Sequence, residues 1–95
     1  MSIWGVDMKV LKYGAVWCSD CSFMMSRWQE IEKENPWLKT EYHDFDKDEE
    51  MVEKYKITKP PTFIFLNKEE KEFLRLHGKI CIKELSDIIS MTKNR

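Results

Sequence analysis

The run Thr62-Phe63-Ile64-Phe65-Leu66 limits the fold more than any other part of the chain. It stands between Lys59-Pro60-Pro61 and Asn67-Lys68-Glu69-Glu70, and it lacks the alternation that a strand with one wet face would show. A run this short is a strand covered on both faces, and its place is the centre of a sheet. Such a sheet needs amphipathic helices on both sides, and the chain supplies candidates. From Ser22 to about Asn35, Met24, Met25, Trp28 and Ile31 fall on one helical face, and Arg27, Glu30, Glu32 and Lys33 on the other. Asn35-Pro36 ends that helix, because a residue before proline is pushed out of the helical region. Asp46 to Glu50 places acids at the head of a short second helix bearing Met51, Val52, Tyr55 and Ile57. After His77-Gly78, the spacing of Leu85, Ile88, Ile89 and Thr92 predicts a terminal helix.

Met8 to Tyr13, ahead of Gly14, has the β-branched and apolar content of a first strand, and Leu38 to Phe45 of a second. Asn67 to Glu70 is a hairpin turn into Lys71 to Leu76, although it lacks an Asn-Gly pair. The expected order is strand, helix, strand, helix, strand, strand, helix: an α/β chain with a mixed sheet. Residues 1–95 make one domain, since two units of half that length would each be too small to hold a core. Sixteen basic and 17 acidic residues are interspersed along the chain, leaving no basic stripe to neutralise phosphates, so nucleic acid is not an expected partner. Met1 to Leu11 lacks the continuous apolar segment of a signal peptide, and no later stretch approaches a membrane span. The expected location is the cytoplasm.

Trp17-Cys18-Ser19-Asp20-Cys21 lies where the first strand gives way to the first helix. Cys18 is expected just before or at the helix N-terminus, with Cys21 one turn inside. There, unpaired N–H groups and the positive end of the helix dipole stabilise a thiolate, bringing a thiol pKa from about 8.5 toward about 7 or lower. Cys18 is thus the candidate nucleophile, and Cys21 the resolving thiol that attacks the mixed disulfide intramolecularly. Two other readings compete: both cysteines in the core, or half of a zinc site. Zinc would want four ligands, and the remaining candidates, Cys81, His43 and His77, form no second paired spacing.

With these residues in place, the chain resembles the thioredoxin family over nearly its whole length. Trp17-Cys18-Ser19-Asp20-Cys21 resembles the family's active-site motif. Asp46 and Tyr55, fifteen and six residues before Pro61, sit where similar residues occur in thioredoxins. Pro61-Thr62 opening an apolar strand is similar to the family's cis-proline loop, and Leu76-His77-Gly78 to the segment bordering its substrate groove. The Asp before the second cysteine is shared with a branch carrying W-C-x-D-C.

The resemblance implies a thioredoxin-like fold with a mixed four- to five-stranded sheet and helices on both faces. It implies a monomeric protein-disulfide reductase needing no cofactor, with protein disulfides as substrates and a thioredoxin-reductase-like or other dithiol electron donor. Trp17, Ser19, Asp20 and Lys12 would support the active site. Pro60, Pro61, Thr62, His77 and Gly78 would bind substrate, with a cis bond between Pro60 and Pro61. A dedicated binding or electron-relay module, and a glutaredoxin-like use of glutathione, remain as alternatives.

Four departures from the family pattern bear on these expectations. Pro60 has no N–H for a substrate strand, where the residue before the cis-proline typically supplies one. Lys12 replaces a buried acid, and would either snorkel to solvent or stabilise a thiolate directly. Gly14 replaces a bulky Trp, leaving room that Trp4 or Trp28 could fill. Asp20 replaces the usual Pro; it either repels a neighbouring thiolate, making the protein more reducing, or simply suits a helix N-terminus.

Asp44, Asp46 and Asp48 imitate the start of a calcium loop, but Glu49 stands where the turn needs Gly and Tyr55 where the bidentate Glu belongs, so calcium is rejected. Cys81, between Ile80 and Ile82, is read as a small core residue, and His43 and His77 as surface or rim residues.

Overall fold

The computed structural model describes residues 8–93. The elements follow in the expected order: β1 (Lys9–Gly14), α1 (Ser19–Glu34), β2 (Lys39–Asp44), α2 (Glu49–Lys54), β3 (Thr62–Leu66), β4 (Glu72–His77) and α3 (Ile82–Lys93). The described strands form one mixed sheet in the order β2-β1-β3-β4. Strands β1 and β2 are parallel and joined through α1, while β3 is antiparallel to both β1 and β4. The sheet therefore has four strands among the described residues, the lower of the two numbers expected. Trp4 lies outside the described residues, as does most of the segment in which a signal peptide was sought.

All of β3 is buried, and its alternate residues feed two cores. Phe63 and Phe65 pack with Val10 against Met24, Trp28 and Ile31 of α1 and Leu85 and Ile89 of α3. On the opposite face, Ile64 and Leu66 pack with Leu11, Tyr13 and Ile57 against Met51 and Val52 of α2. Trp28 is fully buried, its ring 5.4 Å from Phe63 and 6.2 Å from Phe65. Apolar burial of this kind contributes about 25 cal/mol per Å² of surface removed from water, which makes the two layers the main support of the sheet.

The bounds of β1, β2 and β4 differ from expectation by one residue at each end, and two helix boundaries differ by three. Helix α1 starts at Ser19, not Ser22, because Cys18 is its N-cap: its sulfur accepts the Cys21 N–H at 3.2 Å, the part usually taken by a Ser, Thr, Asp or Asn side chain. Apolar periodicity begins only inside this first turn, so it cannot register the start. Helix α2 stops at Lys54, before Ile57, because Lys56 takes a left-handed conformation (φ 53°) and the Ile57 N–H turns back to the Val52 carbonyl. The hairpin manages without Asn-Gly. Asn67 Oδ1 accepts the N–H groups of Glu69 and Lys71, and Glu70 adopts the positive φ (62°).

Tyr13 gives the fold an alkaline limit. It is buried, its hydroxyl donates to the Met51 carbonyl at 3.1 Å, and burial pushes its phenol well above the usual tyrosine range. A phenol whose pKa is raised on folding contributes stability that is complete below about pH 10. The unfolded chain ionises there first, so that stability is lost as pH climbs toward the folded value. Tyr13→Phe is expected to cost about 1 kcal/mol at pH 7 through the lost hydrogen bond. It should also flatten the fall in melting temperature above pH 10, which for one group amounts to at most about 1.4 kcal/mol per pH unit. Parallel alkaline limbs in thermal melts of the variant and the parent would refute this.

Candidate active site

Three loops leave the same end of the sheet. The first runs from the end of β1 into α1. The Cys18 N–H donates to the Ala15 carbonyl at 3.2 Å, closing a tight turn that carries the exposed Val16 and Trp17. Cys18 and Cys21 are joined by a disulfide, with their Cα atoms 5.2 Å apart. Both are buried, Cys18 at the helix cap and Cys21 one turn within, and they pack with Ala15 against Phe45.

The second loop joins α2 to β3. The Pro60–Pro61 bond is cis, in agreement with the expectation. Tyr13 pairs with Thr62, so Pro61, which precedes Thr62, stands at the end of the sheet where β1 runs into the loop that carries the disulfide. The third follows β4: His77 pairs with Thr62, and Gly78, at a positive φ of 76°, donates its N–H to the Pro61 carbonyl at 2.9 Å. Thr62 gives its single hydroxyl proton to the Lys59 carbonyl at 2.7 Å. Its contact with His77 Nδ1 at 3.2 Å is then one in which the imidazole N–H donates. Pro60, Pro61, Thr62, His77 and Gly78 thus form one cluster. Pro60 is buried and has no N–H to offer.

Trp17 is 62% exposed, yet its indole N–H donates to Asp46 Oδ2 at 2.6 Å. Asp46 is held in turn, because Asp44 Oδ1 accepts the N–H groups of Asp46 and Lys47. Asp48 is bonded to His43, 2.6 Å from Nδ1. The three acids that imitate a calcium loop are therefore each engaged in turn or side-chain contacts. Ser19 and Asp20 are exposed in the first turn of α1, where an acid suits the helix dipole.

Four residues sit otherwise than expected. Lys12 neither snorkels nor bonds a sulfur: it is only 6% exposed, and its Nζ is 2.6 Å from Glu32 Oε2, which also accepts from the Thr40 hydroxyl at 3.1 Å. Gly14 leaves no room for a distant Trp. A β-carbon there would stand 3.1 Å from Tyr42 Cε1, so the Tyr42 ring takes the space while Trp28 belongs to the core. Burial, then Asp44 and Asp46, raise the Tyr42 phenol above its ordinary value, so it stays a neutral group at this edge. Cys81 is an exposed free thiol and not a core residue, because it lies at the start of α3, its carbonyl accepting from Leu85, ahead of the first inward position. His43 is half-buried between Asp48 and Glu41, more enclosed than a rim residue. Glu32, Tyr42 and Phe45 were missed as site neighbours; only a Lys in a strand, which calls for a partner, hinted at Glu32.

The geometry supports thiol chemistry. The Cys21 N–H points at the Cys18 sulfur, and once the disulfide is reduced the same N–H stabilises a thiolate. Cys21 stands within bonding reach to displace whatever Cys18 has bound.

Comparison with known proteins agrees in fold and motif. The family model described as Thioredoxin matches residues 5–91. Thioredoxin H5 of Oryza sativa subsp. japonica is 32% identical over 62 residues, which is 65% of this chain and 46% of that protein. The chain therefore spans less than half the length of that curated relative. The structure of Fasciola hepatica thioredoxin is 29% identical, with a TM-score of 0.81 over 90% of this chain and 80% of that one. A mutant thioredoxin from Halobacterium salinarum superposes with a TM-score of 0.84 at 16% identity, covering 95% of this chain and 78% of the other.

Proposed function

The chain belongs to the thioredoxin family, and on that basis we propose that it is a thiol–disulfide oxidoreductase that reduces protein disulfides through Cys18 and Cys21. The observation that carries the reading is the Cys21 N–H aimed at the Cys18 sulfur, 3.2 Å away at the helix N-cap. The Cys18 thiolate attacks one sulfur of a substrate disulfide, forming a mixed disulfide and expelling the other sulfur as a thiolate. Cys21, losing its proton, then attacks the Cys18 sulfur. The Cys18–Cys21 bond closes, and the second substrate sulfur leaves. Two electrons pass from the dithiol to the substrate, and solvent protons complete the two product thiols. Pro60, Pro61, Thr62, His77 and Gly78, tied together by the Gly78 N–H on the Pro61 carbonyl, are the substrate-binding residues of this reading, and the Trp17–Asp46 bond holds the exposed indole beside the dithiol motif.

An external dithiol such as a thioredoxin reductase returns the electrons, giving the chain a place in electron transport and redox homeostasis. We place it in the cytoplasm as a monomer without a cofactor; no helix among the described residues is long and apolar enough to cross a membrane. Pro60 favours a narrower range of substrates, since an added substrate strand finds one donor fewer.

Reduction of insulin disulfides with a reductase-coupled supply of electrons tests this. The parent chain is expected to turn over, and Cys18→Ser to fall to the uncatalysed rate. Turnover with glutathione alone would point to the glutaredoxin-like alternative, and absence of turnover with either donor would overturn the reductase reading.

A further inference from the structure

Phe23 and Arg27 occupy one row of α1, four residues apart and below Ser19. The segment after Gly78 runs along this row, with the Ile80 N–H 3.3 Å from Met24 Sδ. Arg27 and Lys79 both sit on the Phe23 ring, the guanidinium carbon 4.3 Å and the ammonium nitrogen 4.1 Å from its centroid. The two positive charges are therefore about 8 Å apart at most, inside the ~10 Å over which charges interact at 0.1 M salt. Neither makes an ion pair among the described residues. The Arg27 Nε is buried with no hydrogen-bond partner. An exposed aromatic ring thus holds two cations together, against their mutual repulsion and without an ion-pair partner among the described residues.

Resting on the reductase reading, we propose that Phe23, Arg27 and Lys79 form a docking ledge for acidic side chains that flank the target disulfide of a protein substrate. Its position fits that use. Lys79 directly follows Gly78, which is bonded to the Pro61 carbonyl. Phe23 lies about 7.5 Å along the helix axis from Cys18 at 1.5 Å per residue. An extended substrate advances about 3.3 Å per residue, so a residue two or three positions from its cysteine reaches the ledge. The sheet order adds direction. Asp44 and Asp46 follow from the β2 edge and Lys79 from the β4 edge, with the exposed Asp20 in the first turn of α1. A substrate with acids on one side of its cysteine is thereby oriented as well as attracted.

The test uses three synthetic peptides with one intramolecular disulfide, identical except for three flanking residues that are all Glu, all Gln or all Lys. Single-turnover reduction by the pre-reduced full chain gives a second-order rate constant for each. At low salt the Glu peptide is expected to react about tenfold faster than the Gln peptide, the low end of electrostatic steering, and the Lys peptide more slowly than either. The ratio should collapse near 1 M salt, where the Debye length is about 3 Å. Lys79→Gln, at an exposed position that folding tolerates, should bring the Glu-to-Gln ratio toward one, and Arg27→Gln should do so independently. Lys68→Gln, in the hairpin turn at the far end of the sheet, should preserve it. Equal rates for all three peptides, or a ratio that survives both ledge variants, overturn the docking site alone. A chain that reduces none of the peptides overturns the reductase reading and the ledge with it.

Discussion

Cys21→Ser is expected to turn a short-lived mixed disulfide into a stable one, raising its population from a trace to most of the protein. Cys18 keeps in this variant what the proposed nucleophile needs: the N-cap position and the residue-21 N–H, a backbone group that the substitution leaves in place. What disappears is the only sulfur one helical turn away, and a serine hydroxyl cannot take its place in a disulfide. Substrate then stays on Cys18. Cys21 is only 5% exposed, and Ser differs from it by one atom, so the fold should survive at a cost of about 1 kcal/mol. The exposed Cys81 would gather adducts of its own, which makes Cys81→Ser the proper background. Mass spectrometry of the trapped species, with release by dithiothreitol, reads out both the attachment site and the substrate. Adducts found on residues other than Cys18, or equal trapping by Cys18→Ser, would defeat the assignment of nucleophile and resolving thiol.

The parts of the fold that the residues disclose are those governed by one repeating physical demand. Strand β3 has the bounds expected because five buried positions in a row admit only one setting, and Met24, Trp28 and Ile31 of α1 are buried as their spacing requires. The dithiol's place at a helix N-terminus was legible for the same local reason. Contacts between distant side chains carry no periodic mark. Glu32 and Arg27 share the polar stripe of α1 with Glu30 and Lys33, yet Glu32 turns inward to meet Lys12, twenty residues earlier. Arg27 turns onto Phe23 and loses solvent at its Nε. Tyr42 over Gly14 is likewise a cross-strand encounter between β2 and β1, invisible until the register is known. Cys81 shows the reverse case, in which two apolar neighbours in sequence gave a false sign of burial.

Glu32→Ala is expected to be strongly destabilising, and Lys12→Met close to harmless, although they break the same pair. Lys12 stands in β1 on the side facing α1, beside Phe63 across the ladder, and its ammonium is satisfied by Glu32 Oε2 at 2.6 Å. Removing the acid leaves a positive charge and its N–H donors in an apolar layer without a partner. Breaking a buried pair this way costs about 3–5 kcal/mol; the Glu32 side chain is 30% exposed, so water offsets part of the loss and the low end, about 3 kcal/mol, applies. For a domain of this size that lowers the melting temperature by roughly 12 °C or more. Removing the lysine is different. Met fills the same volume with apolar atoms, Glu32 can turn toward water, and the Thr40 hydroxyl can still follow it, so the change should stay within about 1 kcal/mol of the parent. In the double variant the Glu32→Ala penalty should largely vanish, because no stranded charge remains. That non-additivity, measured as a cycle of thermal or denaturant melts, separates a buried charge needing its partner from a helix that merely prefers Glu at this position. Equal losses for the two single variants, or a double variant no better than Glu32→Ala, would rule the buried pair out as the cause.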